Sequence, residues 1–353
     1  NQCDEGLMGP FCQLCDDKNA SFGNRRYYRP AWETRRASCR GCLELLHSRE
    51  VWQTALVVFG ILALVGIVAL FVHRRYQAAL ADWKRYFLAL GIPVKLKHVY
   101  GFYVIMTRIE GIYHIQLPVE IKAAMDYFYA IFSFGSDMQG IPKECFGITT
   151  HLDRLQFWMT LPVIAIVVVV VVILTKLVVK RTISFEAVIA NCLPPVMTLL
   201  FLAYPMVTNV AFESFSCYRF TVVEPLSDAL TGQPISEGKT CYYMMTDPAT
   251  ECVSEFVPSD EVWSTALLAV LLYPVGVWCL TAALLFQARK DILAKRVTPL
   301  STALSFLHHD LQPAFCWWEL VEMIRRLVLI GFLVVVEPGS LIQLVLGTTF
   351  AFL

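Results

Sequence analysis

The sequence predicts an all-α polytopic membrane protein, with about seven transmembrane helices and a small disulfide-rich module ahead of them. Three observations carry this expectation. Hydrophobic residues make up 57% of the chain and charged residues only 16%, outside the range of an ordinary soluble domain. The apolar residues gather in runs long enough to cross about 30 Å of hydrocarbon at about 1.5 Å per residue. The cysteines instead gather in polar stretches, and nine of the twelve fall in segments that those runs leave on one side.

Residues 1–50 form the module. Cys3, Cys12, Cys15, Cys39 and Cys42 stand among Gly, Pro, Asn and Arg with almost no apolar periodicity, so the segment needs cross-links to hold a shape. Cys12/Cys15 and Cys39/Cys42 also fit a zinc ribbon, although the interval between the two pairs is long. Cys3 would then be an unused fifth ligand. Asn19-Ala20-Ser21 is a glycosylation sequon, meaningful only in the secretory lumen. Disulfides are therefore the expected state.

The first span is residues 51–72, closed by His73, Arg74 and Arg75, which sets the N-terminus outside. A linker with Lys84, Arg85, Lys95 and Lys97 follows, expected on the inner surface. The third span, residues 155–178, carries Lys176 at its end and Lys180 and Arg181 just beyond, and so runs inward. One crossing must lie before it. Residues 100–117 are expected to supply it despite Arg108 and Glu110, with residues 123–134 as the alternative. Residues 187–210 return outward, kinked at Pro194, Pro195 and Pro205. Residues 262–286 run inward and close on Arg289, Lys290, Lys295 and Arg296. Residues 315–336 run outward, and residues 341–353 begin a seventh span whose Gly347-x-x-x-Ala351 permits close packing.

The external loops are then residues 118–154 and 211–260. The second holds eight acids against Arg219 and Lys239, and carries Cys217, Cys241 and Cys252. With Cys145 and the module's five, these make nine external cysteines, an odd number that leaves one free or paired beyond this chain. At least one disulfide is expected among Cys217, Cys241 and Cys252, with Cys145 nearby, pinning the acidic loop. Cys192, Cys279 and Cys316 lie in or beside spans, as apolar packing residues would.

Glu319, Glu322, Arg325 and Arg326 set charges on successive turns at a membrane boundary. Two readings stand. The arginines snorkel to an interface marked by Trp317 and Trp318, or they face the protein interior and hold a movable contact. Arg326 is expected to pair with Glu322, one turn earlier.

A formal net charge of zero and the lack of a basic run give nucleic acid no foothold. The sequence holds no His-Glu-x-x-His, Gly-x-Ser-x-Gly or phosphate-binding glycine loop, so neither an enzyme nor a cofactor is expected. His308-His309-Asp310 is read as solvated rather than metal-binding. The chain starts without a signal peptide and stops within an apolar run, which leads us to expect part of a longer polypeptide.

Several segments carry a resemblance. Cys3 to Cys15, CDEGLMGPFCQLC, is similar to the end of an EGF-like or ephrin-receptor-type repeat. Tyr204 to Arg219, Tyr273-Pro274-Val275-Gly276, and Trp318 to Arg326 followed by Pro338-Gly339-Ser340 and Gln343 resemble, in order and spacing, protist membrane proteins of the polycystin and TRP type. The chain departs from that pattern at Val104, where Gln is common, and at Trp278, where Pro is common. The resemblance implies a TRP/polycystin-like cation channel or channel-like sensor, with the lipid bilayer, further copies of the chain or an extracellular protein as partners. It also implies a plasma membrane or another secretory-pathway membrane. A seven-span receptor with its N-terminus outside, or a membrane anchor for an extracellular assembly, are the alternatives.

Overall fold

The computed structural model describes residues 3, 6–9, 12, 14–15, 26–29, 36–43, 64, 92–113, 118, 121, 145, 147–223, 226–227, 234–235, 238–254, 257–308, 311–336 and 340–352. The chain forms two units, Asn1–Tyr100 with Ala130–Ile148, and Gly101–Tyr129 with Thr149–Leu353.

The first unit is built on short hairpins and cross-links. Strands β1 (Leu7–Met8) and β2 (Leu14–Cys15) pair antiparallel, as do β3 (Arg26–Arg29) and β4 (Ser38–Gly41). Gly9 has φ +86°, and a Cβ there would come within 2.6 Å of the Leu14 side chain, so only glycine lets the β1–β2 turn close. Disulfides join Cys3 to Cys12, Cys15 to Cys39 and Cys42 to Cys145. Each Cys-x-x-Cys pair is thereby split between different bridges rather than gathered as a ribbon would gather it. Asn19 and, apart from Leu64, the expected span at residues 51–72 lie outside the described residues. Helix α1 (Ile92–Tyr113) starts in this unit and continues into the second.

The second unit is mostly helical. Helix α2 (His151–Val179) starts at a capping box in which the Thr150 side chain accepts from the Asp153 N–H and the Asp153 carboxylate accepts from the Thr150 N–H. It ends at Arg181, which takes a left-handed φ of 53°. Helix α3 (Phe185–Glu213) is capped by Ser184, and α4 runs Asp260–Leu293. These three are long and apolar enough to cross a membrane, as a membrane protein requires. Their outer surface agrees: Val163, Ile164, Val167, Val168, Val171 and Val172 of α2 are exposed, an apolar face suited to lipid and not to water. Hydroxyls inside the helices bond back to their own backbone, Thr198 to the Pro194 carbonyl and Thr281 to the Val277 carbonyl.

Among the described residues three clusters make the core, the smallest being Leu329, Leu333 and Val334 with Phe212 of α3 packed against them. Leu155, Val207, Val210, Ala211, Ala266, Ala269 and Tyr273 pack where α2, α3 and the first half of α4 meet, and the three alanines let the helices approach closely. Met197, Phe201, Tyr204, Val277, Leu285, Leu307, Cys316 and Met323 pack nearer the other end. Midway, α4 opens into a π-helical stretch, Leu271–Val277, around Pro274, whose missing N–H breaks the α-helical ladder.

The expected seven spans are not supported. Residues 100–117 fall largely in α1, but that helix carries Lys95, Lys97, Arg108 and Glu110, too many charges for an apolar crossing by composition alone. Residues 315–336 follow a 3-10 turn (Pro313–Phe315) with one helical run, α5 (Trp318–Leu327), a π-helical turn (Val328–Phe332) and Leu333–Val335, in which Glu319, Glu322, Arg325 and Arg326 are too many charges for an apolar crossing by composition alone. Helix α6 (Leu341–Phe352) is apolar along its 12 residues, about 18 Å, in keeping with the start of a span.

The chain is also not purely helical. Residues 211–260, expected as an irregular loop, contain an antiparallel sheet in the order β10 (Val257–Pro258), β9 (Glu251–Ser254), β8 (Gly238–Met244), β5 (Cys217–Val223), with a small hairpin of β6 (Leu226–Ser227) and β7 (Pro234–Ile235). Cys217 and Cys252 are bonded, tying β5 to β9 across β8.

Candidate functional site

Helix α5, WELVEMIRRL, sorts its charges by face. Glu319, Met323 and Arg326 recur at the i, i+4, i+7 spacing and are all buried. The Arg326 guanidinium lies 3.9 Å from Glu319 Oε1, with side chains 7% and 5% exposed. Its carbon sits 5.5 Å from the Phe201 ring centroid, a cation–π geometry, and the Tyr204 phenol of α3 faces the same group. On the far side is Gly101 of α1, where an added Cβ would fall 2.9 Å from an Arg326 guanidinium nitrogen. The lack of a side chain at Gly101 thus gives the guanidinium its room.

Arg325 and Glu322 make a separate pair at 2.7 Å, 31% and 19% exposed. This corrects the expected Arg326–Glu322 partnership. The reason is angular: seven residues bring Glu319 back to within about 20° of Arg326, while Glu322 stands about 40° away, toward the flank that Arg325 occupies. One arginine therefore follows each of the two readings, Arg325 reaching outward and Arg326 facing the interior.

The position of α5 is set by neighbours on both sides. Upstream, the Trp278 indole N–H of α4 donates to the Leu320 carbonyl at 3.1 Å. Downstream, Gly331 in the π-helical turn lies so near α3 that a Cβ would fall 2.7 Å from the Phe212 ring. Gln343 of α6 is fully buried and donates to the Leu333 carbonyl at 2.8 Å, satisfying a backbone group at the end of this irregular segment. A test of this packing follows. Gly101→Val is expected to destabilise the unit by about 1–3 kcal/mol through displacement of the guanidinium, and Gly101→Ala by less. Thermal unfolding in detergent would measure both.

A second polar cluster joins α2, α3 and the sheet. His151 Nε2 lies 2.8 Å from Ser214 Oγ, and its Nδ1 lies 3.2 Å from Thr246 Oγ1. The His151 backbone N–H donates to Asp247 Oδ2 at 2.9 Å, and Arg154 pairs with Glu213 at 3.2 Å. Asn209 donates to the same Glu213 carboxylate. None of these was singled out from the sequence as a site. The i, i+4 pair Asn209 and Glu213 inside an apolar run was the available signal; a single histidine at the boundary of a span gave none.

Of the nine cysteines expected outside, eight are bridged, and Cys241 is the ninth. Cys145, expected near the acidic loop, bonds Cys42 instead. Cys192, Cys279 and Cys316 are free thiols, Cys316 in the core. His308 Nε2 meets the Ser301 carbonyl at 3.1 Å; His309 and Asp310 lie outside the described residues. Among the described residues no group of three or more His, Cys, Asp or Glu is placed to hold a metal. No protein-family model, curated protein or solved structure matches the chain.

Proposed function

We propose that the chain is the membrane-embedded part of a cation channel or channel-like sensor of the TRP/polycystin type. The observation that carries this reading is the Glu319–Arg326 pair held inside the helical unit. Two ions taken out of water cost several kcal/mol each, and apolar residues of similar volume would hold the helices at least as well. A charge pair kept in such a place is therefore better suited to a contact that moves than to one that only packs. The polar rim fits a protein that works across a bilayer. Lys176, Lys180 and Arg181 lie at one end of α2, and Arg289, Lys290, Lys295 and Arg296 at and beyond the same end of α4. That end faces the cytosol by the positive-inside rule, and the disulfide-bonded sheet faces the lumen or the exterior. A conducting path would form between copies of the chain.

Reconstitution into planar bilayers tests the reading. Cation-selective current is expected, with Glu319→Gln and Arg326→Gln each shifting the open fraction and Glu322→Gln leaving it nearly unchanged. Purified protein that never conducts would instead favour a receptor or an anchor.

A further inference from the structure

The basic ends of α2 and α4 are built alike. Leu155 of α2 packs with Ala266 and Ala269 of α4, so the two helices start in one layer, run parallel and end about 40 Å further on. Both close on the same turn. After α2 the Arg181 N–H donates to the Val178 carbonyl and the Thr182 N–H to that of Leu177; after α4 the Lys295 N–H donates to the Ile292 carbonyl and the Arg296 N–H to that of Asp291. The left-handed position of such a turn ordinarily goes to glycine, yet Arg181 and Lys295 hold it here at φ 53° and 52°. Two residues on, each turn exposes a β-branched apolar side chain, Ile183 at 62% and Val297 at 90%. Ser184 and Thr298 then cap the next helix, so each corner is hydrogen-bonded on both sides.

We propose that these two corners form a docking surface for the headgroups of anionic phospholipids in the cytosolic leaflet. The basic side chains meet phosphate, and Ile183 and Val297 enter the boundary with the acyl chains. The inference takes from the proposed function only that α2 and α4 cross the bilayer in this direction, and is indifferent to conduction.

Charge and depth both favour lipid as the occupant. The seven basic residues at these ends are exposed, and the acids in the same stretches, 176–186 and 289–297, are Glu186 and Asp291 alone. The cytosolic face of a bilayer carries the opposite charge, and each Lys or Arg held near it adds to the attraction. Phe286 and Leu293, on the last turns of α4, are exposed as well. Next to that end, where Cys316 shares a cluster with Ala288 and Ile292, the exposed rings of Phe315, Trp317 and Trp318 stack with centroids 6.3 and 6.0 Å apart. Tryptophan at the edge of an apolar span marks the level of the headgroups. An acidic cytosolic protein would match the charges but not the apolar side chains set among them.

The experiment reads the thermal midpoint of the purified full chain in micelles of detergent with phosphatidylcholine, with or without phosphatidylserine at equal total lipid. Phosphatidylserine is expected to raise the wild-type midpoint by about 3–6 °C, and high salt to remove at least half of the rise. Soluble phosphoserine with phosphatidylcholine should give none of it. A combined Arg181→Gly and Lys295→Gly variant deletes both turn charges where glycine is at home, so it should fold with an unchanged or higher midpoint in phosphatidylcholine and lose at least a third of the rise. Adding Lys180→Gln and Arg296→Gln should take more than half. Arg219→Gln, on the sheet at the other end of the helices, should keep all of it. Equal midpoints with and without phosphatidylserine overturn the proposal and leave the charge to an acidic protein. A rise reproduced by phosphoserine, kept in full by the glycine variant, or lost in Arg219→Gln also overturns it. A protein that never conducts but keeps the lipid response leaves this inference standing and removes only the channel reading.

Discussion

Glu319→Gln is expected to destabilise the helical unit by about 3–5 kcal/mol, because it leaves the Arg326 guanidinium buried without its counter-charge. Arg326→Gln should cost a similar amount by stranding the carboxylate. Exposure sets the comparison. Glu322→Gln removes half of a pair that solvent already screens, and about 0–1 kcal/mol is expected there. A double-mutant cycle on Glu319 and Arg326, read as the unfolding midpoint in detergent, should give a coupling of at least about 1 kcal/mol, and the cycle on Glu322 and Arg326 close to none. The reverse ranking would show that Arg326 takes its partner from the next turn and that the buried stripe of α5 has been misplaced.

Loss of the Cys217–Cys252 bridge should be the other large effect. The two residues are 35 apart in sequence, and a cross-link closing a loop of that size stabilises by about 2–4 kcal/mol. Replacing both by alanine is the cleaner test, since a single change would leave a thiol near Cys241 of β8 and invite exchange. A lowered unfolding midpoint is expected in the double variant, together with faster amide exchange in β5 and β9. Reducing agent should lower the wild-type midpoint further than that of the variant. Equal sensitivity in both would assign the effect to the bridges of the first unit.

What the sequence made legible follows from how much of each signal is local. Helix α2 could be read directly, because its valine run is uninterrupted and its basic end is adjacent in the chain. The charged stretch of α5 was likewise visible as four residues, but not its pairing. Which arginine meets which glutamate depends on the helix face that α3 and α1 cover, and that is a tertiary fact. The sheet was missed although Cys217–Val223 and Gly238–Met244 are rich in β-branched and aromatic residues. Acids and cysteines dominated the composition there and read as loop. Cysteine connectivity was out of reach in principle, because spacing alone does not choose among pairings. His151 was invisible for the opposite reason. Its three partners, Ser214, Thr246 and Asp247, lie 63 to 96 residues away.

The bridge from Cys42 to Cys145 also constrains topology by parity. A sulfur–sulfur bond cannot reach through a bilayer, so its two ends share one side, and the 102 residues enclosed by this pair enter and leave the membrane an even number of times. If residues 51–72 cross, an odd number of further crossings must occur before Cys145. The one long helix described within that interval is α1, which hydropathy alone would not select. The first span and α1 would then insert as a pair. A change that kept α1 from crossing would do more than loosen one helix: it would leave Cys145 in the reducing compartment and both thiols unbonded.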